Sequence, residues 1–399
     1  MQVILAAAGG GNPGTMTGDC RQALRGADCI IGARRLLKEL PDEYTKKRMA
    51  AARPEEILEI LRSRKEGCVV LYSGDTGFYS GARTLIPLLE KEGISYAVLP
   101  GISSVQLLSA ALGRPWQDWL LVSAHGVDCN PVGAAMQGKP VFFITGGDLG
   151  PAKLCRRLEE AGLQDLPVVV GENLSGPHQR ILHGSAGAFA GEDFAPLSVL
   201  LTEPAPAVRR RTPGFPDSLF TRGEVPMTKQ EVRAAVLAKL APDPGDILWD
   251  VGAGTGSVSI ELALAASWGR TYAVEREEKA CDLIQRNREK LGAWNLKLIK
   301  GAAPQALEGL EAPDAVFIGG TGGFMEEVVD LVLDRNPGAR ICISAICIET
   351  LYQAVQALQG RGIRPEVTQI GISRGRAAGS LHMLMANNPV FLIAGNCDG

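Results

Sequence analysis

Short apolar runs alternate with amphipathic stretches along almost the whole chain. In the first half, Val3–Ala8, Cys29–Gly32, Cys68–Tyr72, Tyr96–Leu99, Leu120–Ser123, Val141–Thr145 and Val168–Val170 are apolar runs of strand length. Between them, Cys20–Ala27, Pro54–Arg64, Ala82–Lys91 and Ala152–Ala161 carry apolar residues at helical spacing; Ile57, Leu58, Ile60 and Leu61 are an example. The second half repeats the alternation. Helices are predicted at Thr228–Leu240, Ser257–Ala265, Lys279–Leu291, Glu326–Leu333 and Leu351–Arg361. Strands are predicted at Ile247–Val251, Thr271–Val274, Leu296–Lys300, Ala315–Ile318 and Arg340–Ser344. Val367–Gly371 and Pro389–Ala394 are expected to close the last sheet as an antiparallel hairpin. Apolar strands that end in glycine-bearing turns point to α/β architecture, with parallel sheets covered by helices.

Two interruptions divide this pattern. Pro204, Pro206, Pro213 and Pro216 surround the triplet Arg209–Arg211, and such a stretch can continue neither a helix nor a central strand. A linker is therefore expected at 206–216, between domains at 1–205 and 217–399. Gly113 and Pro115 mark a second break, within the first domain, near 113–116.

Composition narrows the class. The 399 residues include 41 Lys and Arg against 44 Asp and Glu, a net charge of −3. A nucleic-acid binder working through bulk charge would show a basic excess. No apolar run approaches the roughly 20 residues of a membrane span. The opening MQVILAAAGGG does not read as a secretory leader, which makes the cytoplasm the expected location. The nine cysteines form no C-x-x-C pair and are expected to be reduced thiols; the four histidines are scattered, and no metal site is expected.

The sharpest chemical signal is Trp249-Asp250-Val251-Gly252-Ala253-Gly254-Thr255-Gly256-Ser257. An apolar strand delivers Asp250, and glycines then let the backbone pass under a ligand before a helix begins. Nineteen residues after Gly256, Glu275 ends the next strand, where a carboxylate can accept both hydroxyls of a ribose. A dinucleotide site would show G-x-G-x-x-G, spaced for a pyrophosphate; here the spacing is G-x-G-x-G. S-adenosylmethionine carries an ammonium and a carboxylate and no phosphate, so the spacing favours a methyltransferase over a NAD-dependent oxidoreductase.

Residues 217–261, in which MTKQEVR precedes WDVGAGTGSVSIE, resemble the C-terminal half of the precorrin-6Y C5,15-methyltransferase (decarboxylating) family of cobalamin biosynthesis. Gly319–Gly323, Ala345-Ile346, Glu349-Thr350 and Asn388-Pro389-Val390 extend the likeness. The first half resembles the tetrapyrrole methylases. Ala7–Gly11 stands at that family's opening glycine loop, with Ala7 for its first glycine and Gly10 for its proline. Ser73–Tyr79 matches its Gly-Asp turn and Pro100–Ser104 its PGISS segment; His125-Gly126, Thr145 and Gly171–Leu174 follow in order. Val127 replaces an arginine, and Ala302 stands where the C-terminal family often has an acid.

The resemblance implies a tetrapyrrole methylase fold of two α/β subdomains, followed by a class I Rossmann-like methyltransferase domain. It implies S-adenosylmethionine as methyl donor in both halves. The implied donor-site residues are Asp250, Gly252, Ala253, Gly254, Thr255, Gly256, Glu275, Ala302 and Gly319 in one half. In the other they are Gly9, Gly74, Asp75, Thr76, Ser103, Ser104 and Thr145. The implied substrate is a ring-contracted (cobalt-)precorrin, methylated at C5 by the first half, and at C15, with loss of the ring-C acetate carboxyl, by the second. Its carboxylates call for a basic rim, for which Arg222, Lys229, Arg233, Arg374 and Arg376 are candidates, with Thr228 and His125 as further contacts. Methyl transfer to an electron-rich carbon needs alignment more than a strong base, so no catalytic triad is expected. Both families commonly assemble as homo-oligomers. An alternative is a first half that only binds tetrapyrrole.

Overall fold

The computed structural model describes residues 2–44, 47–64, 67–207 and 212–396. Arg209–Arg211 and Cys397 lie outside the described residues. The chain divides into two compact units, one of residues 1–129, 139–160 and 164–203, the other of 130–138, 161–163 and 204–399.

The first unit holds two sheets. β1 (Gln2–Ala7), β2 (Cys29–Gly32), β3 (Lys47–Ala50), β4 (Cys68–Tyr72) and β5 (Ser95–Leu99) are ordered 3-2-4-1-5, all parallel. Their connections are helical, and Leu5, Ile31, Val70, Leu85 and Leu89 fill one side at no measurable exposure. The helix Ser104–Leu112 ends at Gly113, whose positive φ stops it in a left-handed cap, and the chain then starts a second sheet. β6 (Leu120–His125), β7 (Val141–Gly146), β8 (Pro167–Glu172), β9 (Arg180–Ser185) and β10 (Ser198–Thr202) are ordered 6-7-10-8-9. This sheet corrects the expectation of parallel pairing throughout. Only β6 and β7 are parallel; β10 inserts antiparallel between β7 and β8, and β9 folds back on β8 as a hairpin. Antiparallel partners need no helical crossover, so the loop between Glu172 and Arg180 suffices to join β8 to β9, whereas the chain from β9 to β10 passes through the short helix Ala186–Phe189.

The second unit is one seven-stranded sheet. Its strands are β11 (Ile247–Val251), β12 (Arg270–Glu275), β13 (Leu296–Lys300), β14 (Ala315–Ile318), β15 (Arg340–Ala345), β16 (Glu366–Ile370) and, last in sequence, β19 (Val390–Gly395). The order 13-12-11-14-15-19-16 reverses direction after β11, and β19 and β16 pair antiparallel as expected, but not as a hairpin. Between them β17 (Ser373–Ala378) and β18 (Leu381–Ala386) make a separate hairpin. The helices Gln230–Leu240, Ser257–Ala265, Glu278–Leu291, Met325–Arg335 and Ile348–Gly360 cover the sheet on both faces. Ligands in such sheets sit beyond the carboxyl ends of the strands, at the point where strand order reverses; here that point is the end of β11.

Within the expected linker, Gly214 and Phe215 are buried. Phe215 is buried against Ile260 and Ile284 in a core cluster. Among the described residues, no helix is long and apolar enough to cross a membrane.

Candidate functional site

Each unit carries a cavity at the carboxyl ends of its strands. In the second unit, a cleft of about 330 Å³ is lined by Gly252–Thr255, Glu275, Arg276, Ala302, Gly319 and Thr321, and by Val225, Pro226 and Thr228. The glycine loop forms its floor because no side chain fits there. A Cβ on Gly252, whose φ is +75°, would lie 2.5 Å from the Gly320 carbonyl oxygen. The two loops at the strand-order reversal therefore pass each other backbone to backbone. Glu275 ends β12 at the wall of the cleft. One carboxylate oxygen accepts the Gly254 amide at 2.8 Å; the other accepts the amides of Arg276 at 2.7 Å and Glu277 at 3.0 Å. A carboxylate has about four acceptor positions, so this grip fixes its plane and leaves capacity for a ligand hydroxyl.

Asp250 lies beneath the loop rather than in the cleft. It is fully buried, accepts a short hydrogen bond from the Ser259 hydroxyl, and leaves Oδ1 without a partner. Burial pushes its carboxyl up to about 7, opposed by the Ser259 hydrogen bond.

In the first unit, a larger cavity of about 780 Å³ is lined from both sheets. Its floor is the opening loop. Gly9 and Gly74 exchange backbone hydrogen bonds at 3.1 and 2.8 Å, joining the loops that follow β1 and β4. Asn12 donates to the Ser175 carbonyl, and a Cβ on Gly10 would sit 2.0 Å from Ser175 Oγ. Gly10 is thus the residue that lets the loop after β8 approach. On the opposite wall, Thr145 donates to the Ser198 carbonyl at 2.6 Å, and His125 Nδ1 lies 3.3 Å from the Thr145 carbonyl.

Comparison with known proteins agrees with this division. Residues 2–190 match the profile of the tetrapyrrole (corrin/porphyrin) methylases, and residues 218–395 that of the precorrin methyltransferase domain. A Sinorhizobium precorrin-6Y C(5,15)-methyltransferase [decarboxylating] is 34% identical over 327 residues, 79% of this chain and 78% of its own. The chain belongs to the precorrin-6Y C(5,15)-methyltransferase family. A probable cobalt-precorrin-6B C(15)-methyltransferase (decarboxylating) from Pyrobaculum calidifontis is 44% identical over 185 residues, 46% of this chain and 95% of its own. A crystal structure from Geobacter metallireducens, a precorrin-6Y C5,15-methyltransferase, is 36% identical, with TM-score 0.44, over 47% of this chain and 99% of that one.

As a member of the precorrin-6Y C(5,15)-methyltransferase family, the chain joins a tetrapyrrole methylase domain to a precorrin methyltransferase domain. The structure sorts the residues singled out in its sequence. Gly252, Ala253, Gly254, Thr255, Glu275, Ala302, Gly319 and Thr228 line the smaller cleft. Gly9, Gly74, Asp75, Ser103, Ser104, Thr145 and His125 line the larger. Asp75 also accepts the Gly77 amide at 3.0 Å, so it shapes its own turn. Ser103 forms a reciprocal capping box with Gln106 at the start of its helix.

Others are placed differently. Thr76 does not line the cavity; it is buried, and its hydroxyl donates to the Leu99 carbonyl, tying the turn to β5. Gly256 lies behind the loop against Ile284. Arg233 is no rim residue: it is fully buried, and its guanidinium is taken up by Asp217, Glu261 and the carbonyls of Phe215 and Thr228. Arg222 and Arg374 are half-exposed, yet both pair with Asp217 at 3.3 Å, and Arg374 also with Glu231 at 2.6 Å. Burial raises the Asp217 carboxyl, but the Arg233 hydrogen bond and charge outweigh it and hold the group below the usual range. Lys229 and Arg376 lie outside the cleft lining.

Several residues were not legible beforehand. Arg276 is the one cation lining the smaller cleft among the described residues. Glu261 and Asn287 are buried polar groups. A lone acid in SVSIELALA was the available signal for Glu261, because an unpaired carboxylate is not left in a core.

Proposed function

We infer that the chain methylates a ring-contracted (cobalt-)precorrin at two positions, C5 from the cavity of the first unit and C15 from the cleft of the second. The second reaction is coupled to loss of the ring-C acetate carboxyl, in cobalamin biosynthesis. Family membership supports the reaction. The observation that carries the assignment of the second site is the Glu275 carboxylate, clamped by three backbone amides beside a glycine floor that no side chain could occupy.

The donor set fits S-adenosylmethionine. Glu275 would hold the ribose, the Gly252–Thr255 backbone the amino-acid end, and the small Ala302 and Ala303 leave room for the base. About 330 Å³ is at the lower end for small-molecule clefts, as suits a donor that fills its site. In the first unit Gly9, Gly74, Asp75, Ser103, Ser104 and Thr145 would do the same work. Bound S-adenosylmethionine supplies an electrophilic methyl group.

The chain's own task is to align and to dry. Val225, Pro226, Val258 and Phe317 turn apolar surface toward the cleft, which excludes water and leaves a substrate carboxylate poorly solvated. A poorly solvated carboxylate parts more readily from its carbon, with the electron pair entering the conjugated ring. Thr228, at the cleft edge, and Arg276, on its wall, are the polar contacts offered to the substrate. We take domains 1–205 and 217–399 as the two catalytic halves, working in the cytoplasm without nucleic-acid or membrane partners. We take the protein to be a homo-oligomer; exposed Leu381, Leu384 and Met383 on the β17–β18 hairpin support self-association.

Calorimetric titration with S-adenosylhomocysteine tests the reading. Two sites per chain are expected. One site would favour a first half that only binds tetrapyrrole, and none would refute methyl transfer altogether.

A further inference from the structure

The segment 214–228 is neither helix nor strand over most of its length, yet buried polar side chains hold it at three points. At its start, Glu261 accepts the amides of Gly214 at 2.6 Å and Phe215 at 2.8 Å. In its middle, Asn287 accepts the Thr221 amide at 2.6 Å and donates to the Thr221 carbonyl at 3.1 Å; it also donates to the carbonyl of Thr255, in the glycine loop, at 3.1 Å. Spanning the segment is Arg233. Its Nε donates to Glu261 at 2.8 Å and Nη1 to Asp217 at 2.9 Å, while other N–H groups reach the carbonyls of Phe215 and Thr228. The guanidinium lies 4.6 Å from the centroid of Phe220.

Arg233, Glu261 and Asn287 are each buried to 2% exposure or less. A buried arginine is costly unless its donors are satisfied, and here one side chain gathers three partners from the two ends of the strap and a fourth, Glu261, from the helix Ser257–Ala265. The strap then delivers Val225, Pro226 and Thr228 to the cleft, and the Pro226 carbonyl comes within 3.1 Å of where a Cβ on Gly254 would stand.

We propose that Arg233, with Glu261, is a positioning residue for methyl transfer in the second unit: it fixes the 214–228 strap over the glycine loop, so that Val225 and Pro226 complete the donor site and Thr228 stands at its substrate edge. This rests on the reading that the cleft binds S-adenosylmethionine. Arg233 touches neither donor nor substrate and acts through the strap.

The test uses the full chain and S-adenosylhomocysteine. In the wild type, hydrogen exchange at Gly214, Phe215 and Thr221 is expected to be slow, and the ligand to slow Val225 and Thr228 further. Arg233→Met and Glu261→Gln are expected to weaken binding at the second-unit site at least tenfold and to raise KM for the donor in C15 methylation. The first-unit site should be unchanged, and slow hydrogen exchange in the strands of the second-unit sheet is the measure that this unit still folds in each variant. Arg233→Lys, which keeps the charge and loses the fork, should fall between. Wild-type ligand binding at the second-unit site with no change in any variant would overturn the proposal. So would strap amides that exchange freely with or without ligand, a measurement that needs no variant to fold. Absence of binding in the wild type would instead defeat the assignment of the site.

Discussion

At the scale of single residues, burial decides more than charge. Asp250 was legible as the acid of its motif, but its place was not: it faces Ser259 below the loop and has one oxygen without a partner. Its carboxyl is raised to about 7, against roughly 3.9 in an unfolded chain. Between those values the folded state keeps a proton that the unfolded state has lost, so its contribution to stability declines as pH rises from about 4 to about 7. The bound on that loss is on the order of 4 kcal/mol. Asp250→Asn mimics the protonated group and keeps an acceptor for Ser259. Thermal melts are expected to show the variant near wild type at about pH 4 and more stable than wild type at about pH 8. Equal differences at both pH values would show that the carboxyl does not titrate in this window. Gly252 makes the opposite case, where no side chain is tolerated. Gly252→Ala adds a Cβ 2.5 Å from the Gly320 oxygen at a positive φ. The expected cost is about 1–3 kcal/mol in chemical denaturation, together with loss of donor binding in the second unit.

At the scale of elements, the sequence pattern located most buried strands because their apolar runs are bounded by glycine and charge. Ile247–Val251, Leu296–Lys300, Ala315–Ile318 and Cys68–Tyr72 coincide with observed strands to the residue. Two kinds of element escaped. β10 is a fully buried run, but its antiparallel insertion between β7 and β8 is a matter of pairing, which local periodicity does not encode. The β17–β18 hairpin packs neither face on the core, all twelve of its strand residues being exposed, and its apolar residues Leu381, Met383, Leu384 and Met385 stand on the surface, so a search for buried strands passes it over. Its signal was the Gly379-Ser380 turn, with Gly379 at φ +64°. The basic rim failed for a related reason: a list of arginines does not show which acids they face. Arg374 is tied to Asp217 and Glu231; the half-exposed pair with Glu231 is worth roughly 0–1 kcal/mol, and buried Asp217 keeps Arg233 when Arg374 is lost. Arg374→Ala is therefore expected to change overall stability by about that much or less. Faster hydrogen exchange in the 373–386 hairpin would mark its tether, and an unchanged hairpin would deny it.

At the scale of the whole molecule, the chain is two chemistries on one polypeptide, and each cavity is built from one unit alone. Every residue lining the smaller cleft lies between Val225 and Ser344, and its core is formed by strands and helices of that unit. The Pyrobaculum relative supports the same independence, since 95% of its length is matched by 46% of this chain. The strap bounds any separation, because Gly214 and Phe215 are anchored by Glu261; a fragment must begin before them. A fragment of residues 204–399 is therefore expected to fold, bind one S-adenosylhomocysteine and convert a ring-contracted precursor. Mass spectrometry should show loss of one carbon dioxide and gain of one methylene unit. A fragment starting at 217 should bind the ligand more weakly, because it lacks the anchored start of the strap. If both fragments bind equally well, the anchor at Glu261 contributes nothing to the site. If the longer fragment folds and gains two methylene units, C5 and C15 methylation both belong to the second unit, and the division of labour between the halves is wrong.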